Sequence, residues 1–278
     1  MKSLSNQSQR TRVFTICITT LFAFLVLYPI VWLFVASLKT DREVIAFPPH
    51  FFASVYTFLQ YQNVGKSIPV FRMTLNTIIF AGSVTVISVF LDSLCGYAFA
   101  RMQFKGKKFL FAIILFTMMV PFQVIMTPLY IEEYHMRILD SFLGLILPRA
   151  TSAYGIFMMR SFFVMLPQSL EESGRIDGMS EFRIYRSIMM PLCKPALLSL
   201  GIFHLMNNWN DLIYPLMLTN STKMRTLSSG LAILVGNKAV KYGPMLASTV
   251  ISILPLLIVY FVFQKYFVMG IANTGGKE

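Results

Sequence analysis

Long apolar runs limit what this chain can fold into more than any other feature of its sequence. Six runs, each longer than 20 residues, consist almost entirely of apolar side chains. A helix needs about 20 such residues to cross the roughly 30 Å hydrocarbon core of a bilayer, since each residue adds about 1.5 Å. With 56% hydrophobic and only 13% charged residues, the chain is far more apolar than a soluble domain. We therefore predict an all-α, polytopic membrane protein with about six transmembrane helices.

The six predicted helices differ in how well they suit a bilayer. The first is too long for the core of a signal peptide and no cleavage pattern follows it, so we expect it to be retained. The fourth contains Arg149 and Arg160 and the fifth contains His204 and Asp211, which makes both weaker as spans. Prolines within the runs are compatible with membrane helices, where neighbouring groups satisfy the freed carbonyls. In chain order the predicted helices are Val13–Leu38, Met73–Ala100, Phe109–Ile131, Phe142–Leu166, Pro195–Thr222 and Tyr242–Gln264.

The short loops between these helices favour one orientation in the membrane. Basic residues are enriched in cytoplasmic loops, and short loops carry the most weight. The segment 101–108 has four basic residues and no acidic one, whereas 132–141 has three acidic residues and one basic residue. Both termini are then predicted to be cytoplasmic. We interpret the net charge of +12 as anchoring at this face, because no basic stripe interleaved with aromatic residues indicates nucleic-acid binding.

Cysteine and histidine residues give no sign of a metal site or a disulfide framework. The three cysteines, Cys17, Cys95 and Cys193, are odd in number and lack the spacing of metal ligands. No phosphate-binding Gly-x-x-x-x-Gly-Lys-Ser/Thr loop is present either. We predict that the chain has no catalytic residues and binds no metal or cofactor, so that any ATP is used by a partner subunit.

The polar segment between the fourth and fifth predicted helices has the pattern of two short helices joined by a turn. Ser169 and Glu172 have the spacing of a capping box at a helix start. Asp177-Gly178 then supplies a turn, and Ser180 is a good N-cap for a second helix. Helical spacing gives that second helix one apolar face. The residues of this face are Phe182, Tyr185, Ile188 and Met189.

This segment resembles the EAA loop of ABC importer permeases. The family pattern is Glu-Ala-Ala, three residues, Gly, nine residues, Ile, one residue, then Leu-Pro. Here Glu172 and Gly178 stand at the Glu and Gly positions, and Ile188 and Pro191 stand at the Ile and Pro positions. The spacing agrees at all four anchors. The resemblance implies a loop that docks into a cleft on an ATPase subunit and transmits its closure to the membrane helices.

Three positions of the loop depart from the family pattern without moving an anchor. Ser173 and Gly174 replace the two alanines, and Met190 replaces the leucine. Two simpler interpretations stay open beside the docking role, since Glu172 suits a capping box and Gly178 suits any left-handed turn. The residues that the resemblance assigns to the coupling loop are Glu172, Ser173, Gly174, Asp177, Gly178, Ile188 and Pro191.

Four other segments extend the resemblance over nearly the whole chain. They are Ser37-Leu38-Lys39, the stretch 97–101, Asn208-Trp209-Asn210-Asp211 and the stretch 264–268. They resemble the carbohydrate-uptake branch, and within it the second permease, similar to the smaller membrane subunit of the maltose transporter. The resemblance implies four kinds of partner. These are a second permease, an ATP-binding cassette ATPase dimer, an extracytoplasmic solute-binding protein and membrane lipid.

Polar residues inside the apolar runs leave alternatives open. Asn208, Trp209, Asn210 and Asp211 either line the translocation path or hydrogen-bond between helices, because polar groups in a membrane face an interior, a partner or water. Asp92 would be costly in its ionised form at its predicted depth. We expect it either to be protonated and hydrogen-bonded to a neighbour or to line the path.

We therefore expect a permease subunit of an ATP-driven, binding-protein-dependent importer for a sugar, in a bacterial inner membrane. The alternatives are another solute, such as glycerol phosphate or a polyol, and an ion-coupled secondary transporter. Residues 1–70 are predicted as the cytoplasmic N-terminus, first helix and external loop. Residues 71–268 form the predicted type-1 permease domain, and 269–278 the cytoplasmic tail. The external segments 39–72 and 223–241 are expected to face the binding protein.

Overall fold

The computed structural model describes residues 2–236 and 242–275, and every regular element within these ranges is helical. The predicted all-α class is confirmed. Part of the predicted external segment, 237–241, and the end of the predicted tail, 276–278, lie outside the described residues. A 3-10 turn covers Leu147–Arg149 and a π-helical turn covers Tyr185–Met189. The α-helices are α1 (Lys2–Ser37), α2 (Asp41–Val44), α3 (Leu59–Ser67), α4 (Val70–Arg101), α5 (Lys107–Thr117), α6 (Phe122–Met136), α7 (Phe142–Ile146), α8 (Ala153–Met165), α9 (Ser169–Ile176), α10 (Glu181–Ile184), α11 (Met190–Leu192), α12 (Lys194–Asn210), α13 (Ile213–Leu218), α14 (Leu227–Gly236) and α15 (Tyr242–Gly275).

Three helices in the described residues are each long and apolar enough to cross a membrane. They are Thr11–Ser37 within α1, Val70–Arg101 and Tyr242–Val262 within α15. These agree with the first, second and sixth predicted helices to within a few residues. Three further spans arise only if each of three bent helix pairs crosses as one, which gives up to six in total.

The third predicted helix is not continuous, which corrects the sequence analysis. It divides into α5 and α6, whose axes differ by 99°. Pro121 directly precedes α6, with φ −61° and ψ 137°. A proline has no backbone N–H to donate and disfavours helical dihedrals in the residue before it, so the chain turns here.

The fourth predicted helix also has a break, after the 3-10 turn. Its two parts, Phe142–Arg149 and α8, meet at 43°. Ser152 has extended backbone dihedrals and its side chain accepts a hydrogen bond from the N–H of Gly155, so it acts as the N-cap of α8. A new helix therefore begins within what reads as one apolar run.

The fifth predicted helix, 195–222, was wrong as a single span. Helix α12 ends at Asn210, because Asp211 has extended dihedrals, φ −67° and ψ 127°. A side-chain oxygen of Asp211 accepts the N–H of Tyr214, which supports the start of α13. The bent pair that includes α12 joins it instead to the preceding segment Glu181–Leu192, at 83°.

The chain divides into two compact units. One contains Met1–Ile68 and Ile233–Pro255, and the other contains Pro69–Ala232 and Leu256–Glu278. In the first unit, the segment after α1 is held by hydrogen bonds from Lys39 to the carbonyl of His50 and from the N–H of Ser54 to Glu43. The predicted domain boundaries, at residues 70 and 268, stay a prediction.

The second unit is built around close contact between α4, α8 and α12. Its largest buried cluster combines side chains of these helices with side chains of the segment after α9. The buried members are Tyr97, Met159, Phe163, Ile184, Tyr185, Met189, Cys193, Ala196 and Leu200. Gly96 allows α4 to approach α8, since a Cβ there would lie 2.7 Å from the Cβ of Met159 and 2.9 Å from the backbone N of Arg160.

We expect Gly96→Ala to destabilise the protein by about 1–3 kcal/mol, because the added methyl group forces two packed helices apart. Gly82→Ala is the matched control, since a Cβ at Gly82, on the same helix, meets nothing within 4 Å. Thermal unfolding in detergent should give a lower midpoint for the first variant alone. Equal midpoints for the two variants would show that α4 and α8 are not held this closely.

Candidate functional site

The segment 169–184 forms two short helices joined by a glycine turn. Helix α9 ends at Ile176, and Gly178 has a left-handed backbone with φ +72°. Residues with a Cβ rarely adopt this backbone conformation, so glycine suits the position. Ser180 is the N-cap of α10, with its hydroxyl accepting the N–H of Arg183 at 3.4 Å.

The capping-box interpretation of Ser169 and Glu172 was wrong. Helix α9 includes Ser169, and the residue before it, Gln168, already has helical dihedrals. A serine N-cap requires an extended backbone, so the Ser169 side chain has no N-terminal cap to make. The first turn of α9 has no side-chain cap. Glu172 is exposed. Because α9 has no capping box, helix capping does not explain why a glutamate stands at this position.

The exposed edge of the loop contains most of the residues that the resemblance singles out. Glu172, Ser173, Asp177 and Gly178 are exposed, as is Pro191 further along. Gly174 is buried, and a Cβ there would lie 3.1 Å from atoms of Ile184 and Ile188. Glycine at this position therefore allows the close packing of α9 on the following helix. Ile188 is half-buried.

A group of charged side chains lies beneath this edge and was missed by the sequence analysis. Glu171 is buried, with a carboxylate oxygen 3.0 Å from Nε of Arg101 and the other oxygen 3.2 Å from Arg175. The Arg101 contact is an ion pair rather than a hydrogen bond, since neither atom meets hydrogen-bond geometry. Arg175 also binds Glu181 at 2.7 Å. The hydrogen bond with Glu181, together with the charges of both carboxylates, raises the pKa of Arg175.

A cavity of about 970 Å³ lies in the second unit, beside the C-terminal part of α12. Asn210 and Asp211 line it, whereas Asn208 and Trp209 are buried and are not among its lining residues. The cavity combines aromatic rings, two amides and one pair of opposite charges. Its lining includes Phe122, Arg149, Tyr154, Ser199, Phe203, Asn207, Asn210 and Asp211.

Arg149 organises the polar side of this cavity. Its guanidinium donates to Asp211 and, at 3.0 Å, to the side-chain oxygen of Asn208. It also lies over the ring of Tyr214, 4.1 Å from the centroid, an arrangement that favours a cation. Asn208 donates to the carbonyl of His204. Two of the four predicted path residues therefore bind the same guanidinium, a pairing that spacing alone did not indicate.

Asp92 is fully buried and joins three helices by hydrogen bonds. One oxygen accepts the hydroxyl of Thr151 at 2.6 Å and the N–H of Ser152 at 2.8 Å. The other accepts the hydroxyl of Ser152 and shares a hydrogen bond with His204, both at 3.0 Å. Asp92 is not among the residues that line the cavity. Of the two expectations for this residue, hydrogen bonding to neighbours is the one that the geometry supports.

The sequence of residues 92–273 matches the family of inner membrane components of binding-protein-dependent transport systems. The matched part is more than half of the chain. The chain belongs to this family. The resemblance to ABC importer permeases is confirmed.

Two curated relatives and one solved structure agree with this permease family. The arabinooligosaccharides transport system permease protein AraQ of Bacillus subtilis is 35% identical over 97% of this chain and 98% of its own length. The sn-glycerol-3-phosphate transport system permease protein UgpE of Yersinia pestis is 29% identical over 90% of this chain and 92% of its own. The crystal structure of a bacterial ABC transporter involved in the import of the acidic polysaccharide alginate contains a chain with a TM-score of 0.76 and 26% identity, covering 92% of this permease and 97% of that chain.

Family membership bears on two further predictions. The relatives are permease proteins of transport systems, in agreement with a transporter subunit rather than an enzyme. The family description locates its members in an inner membrane. The side on which each terminus lies, and the roles of the individual site residues, stay predictions.

Proposed function

We propose that this permease forms half of the translocation path of an ATP-driven importer for a neutral oligosaccharide. A second permease would complete the path, an ATPase dimer would use the ATP, and an external binding protein would deliver the solute. The observation that carries the solute class is the charge balance of the 970 Å³ cavity. The solutes named for the relatives include arabinooligosaccharides, which are neutral, and sn-glycerol 3-phosphate, which is an anion. The charge of the cavity therefore bears on which of these two kinds of solute would bind.

Arg149 is poorly suited to take a phosphate group in this cavity. Its guanidinium is already bound by Asp211 and Asn208 and lies against Tyr214. Arg149 and Asp211 are the charged residues of the described lining, and their charges cancel. A phosphate would have to displace the Asp211 carboxylate, whereas a neutral solute would not. The balance therefore favours an uncharged solute over glycerol phosphate.

The remaining lining residues suit sugar hydroxyls and ring faces. Asn207 and Asn210 offer amide donors and acceptors, and the rings of Tyr154 and Phe203 lie 4.6 Å apart, centroid to centroid. Binding sites for small molecules commonly combine aromatic walls with a few polar groups that fix orientation. This combination supports a role for the cavity in the path of a carbohydrate.

The exposed edge of the α9–α10 loop is the proposed docking surface for the ATPase. Ile176 is 86% exposed beside Glu172 and Asp177, and a large exposed apolar side chain among charged neighbours suits a protein partner. Glu172 also borders a recess of about 480 Å³ with Gln103 and Gln168. In this proposal both chain termini and the loop are cytoplasmic, and the loop moves when the ATPase dimer closes.

Copurification in mild detergent tests the proposed coupling loop. We expect an ATPase to copurify with the wild-type chain but not with Glu172→Lys combined with Gly178→Pro. The first change reverses an exposed charge, and the second is incompatible with the φ of +72° at this turn. Glu132→Lys, which changes an exposed acidic residue outside the loop, is the charge control and should retain the ATPase.

The membrane partner provides the internal check. If the second permease still copurifies with the double variant while the ATPase is lost, the loop is the docking site. If no ATPase copurifies with a well-folded wild-type chain, the importer role is wrong. An ion-coupled secondary transporter, with Asp92 and Asp211 as candidate coupling residues, would then be the next hypothesis.

A further inference from the structure

The α9–α10 loop is attached to the end of α4 at two separate places. At the first, Glu171 of α9 pairs with Arg101 at 3.0 Å. At the second, Glu181 of α10 accepts the hydroxyl of Tyr97 at 2.9 Å. Tyr97 and Arg101 are four residues apart and therefore lie on one face of α4, a turn from each other. One helix face thus holds both halves of the loop.

Arg175 links the two attachments to each other. Its Nη2 lies 3.2 Å from Glu171, and its Nε and Nη2 bind the two oxygens of Glu181 at 2.7 and 3.3 Å. The result is a continuous series of charged and polar contacts from Arg101 through Glu171, Arg175 and Glu181 to Tyr97. We name these five residues the charge clamp.

The burial of the first attachment distinguishes it from an ordinary surface ion pair. The side chains of Arg101 and Glu171 are 5% and 4% exposed, whereas those of Arg175 and Glu181 are 42% and 40% exposed. Exposed ion pairs contribute little to stability, but removing one partner of a buried pair leaves an uncompensated charge. The buried pair is therefore the firm attachment, and the exposed pairs fix the angle of the loop.

Arg101 also joins a third helix to the clamp. Its guanidinium donates to the carbonyl oxygens of Phe163 and Leu166 at the C-terminal end of α8. A cation at this end of a helix satisfies carbonyls that have no partner within the helix. The ends of α4 and α8 and the start of α9 therefore meet at one guanidinium.

Further along α4, the same helix holds the segment that carries Arg149. The hydroxyl of Ser88 donates to the carbonyl of Arg149 at 2.8 Å, and Asp92 binds Thr151 and Ser152. Arg149 lines the 970 Å³ cavity. Packed helices and hydrogen-bonded segments of this kind can carry a displacement between distant sites.

We propose that the charge clamp makes the α9–α10 loop and α4 move as one rigid body. Because the two attachments lie a helical turn apart on α4, the loop cannot rotate relative to α4 as it could about a single attachment. A displacement of the loop by the ATPase is then passed to α4, and through α4 to the segment around Arg149, instead of being absorbed by rotation of the loop. The clamp residues are positioning residues. This inference rests on the proposed docking of the loop on an ATPase.

Spin-label distances between α4 and α10 test the rigid body. The labels are placed at two exposed positions, Met102 directly after the end of α4 and Arg183 in α10, in a chain whose exposed Cys17 is replaced by Ser. The complex with its ATPase is measured without nucleotide and with trapped ATP. With an intact clamp, we expect the same distance in both states. In Glu171→Gln we expect a broader distribution and a state-dependent shift on the order of 1–2 Å or more.

Two further variants separate rigidity from folding. Glu171→Asp keeps a carboxylate opposite Arg101 and should restore the wild-type distances. Glu181→Gln weakens the half-exposed attachment and should broaden the distribution even if Glu171→Gln fails to fold. Unchanged distances in both assembled Gln variants would overturn the inference while leaving the docking role intact. Absence of the ATPase from the wild-type complex would instead overturn the docking role and the inference together.

Discussion

The Asp92→Ala variant is expected to lose about 3 kcal/mol of stability, since hydrogen bonds between membrane helices contribute roughly 0.6 kcal/mol each, and up to about 1.7. The substitution removes four hydrogen bonds, to Thr151, to Ser152 twice and to His204. It also leaves the buried His204 ring without its partner, which adds to the loss. Size-exclusion chromatography after graded heating in detergent should give a much lower midpoint for aggregation than the wild type.

Asp92→Asn is the matched control for this variant. Its side-chain oxygen can still accept from Thr151 and from the N–H of Ser152, and its amide can donate to the hydroxyl of Ser152 or to His204. We expect a smaller loss than for Ala. Gly155 must stay small while Asp92 is present, because a Cβ there would overlap the Asp92 carboxylate. If Ala and Asn lower the midpoint equally, the hydrogen bonds are not what holds α4 to α8 and α12.

Replacing Arg149 with Met is expected to reduce uptake of a neutral oligosaccharide about 30-fold. The change leaves the Asp211 carboxylate and the side-chain oxygen of Asn208 without their guanidinium partner and removes the cation from the Tyr214 ring. Losing one partner of a buried ion pair costs about 3–5 kcal/mol of stability. We expect the unpaired Asp211 to raise the barrier to solute passage by a smaller amount, about 2 kcal/mol, because these side chains are 20% and 17% exposed, and this rise corresponds to about 30-fold in rate. Uptake of labelled arabinotriose by vesicles containing the whole importer measures the effect.

A double-mutant cycle with Asp211→Asn gives the control. If the two side chains act as a pair, Asp211→Asn should cost much less in the Arg149→Met background than in the wild type. Asp211→Asn alone leaves Arg149 without its carboxylate in the cavity and should increase the inhibition of uptake by glycerol 3-phosphate. Additive costs, or wild-type transport of glycerol 3-phosphate in preference to arabinotriose, would contradict the assignment of a neutral path.

Three membrane-spanning helices were predictable from their apolar runs, because bilayer thickness fixes the length of a spanning helix. The predictions at Val13–Leu38, Met73–Ala100 and Tyr242–Gln264 agree closely with Thr11–Ser37, Val70–Arg101 and the described Tyr242–Val262. The breaks in the other three runs were not predicted. Hydropathy measures side chains, whereas the breaks before α6, α8 and α13 arise from backbone conformation at Pro121, Ser152 and Asp211.

The coupling loop was likewise predictable only in part. The turn at Gly178 and the cap at Ser180 depend on neighbouring residues, so local sequence was enough to find them. The spacing of Glu171 and Arg175, four residues apart on a helix, could also have indicated their ion pair. Nothing local distinguished Glu171 from Glu172, because the burial of the first depends on Arg101, 70 residues earlier in the chain.

The sequence by itself determined that this protein is an all-helical membrane permease, because length of apolar run and the spacing of one loop are properties of consecutive residues. Only the tertiary structure decided that Asp92 joins α4 to α8 and α12, and that Arg149 balances Asp211 at the cavity. Such pairings bring together residues 59 to 112 positions apart. They form because a polar group in an apolar interior must find a partner, and the packing of helices decides which partner is within reach.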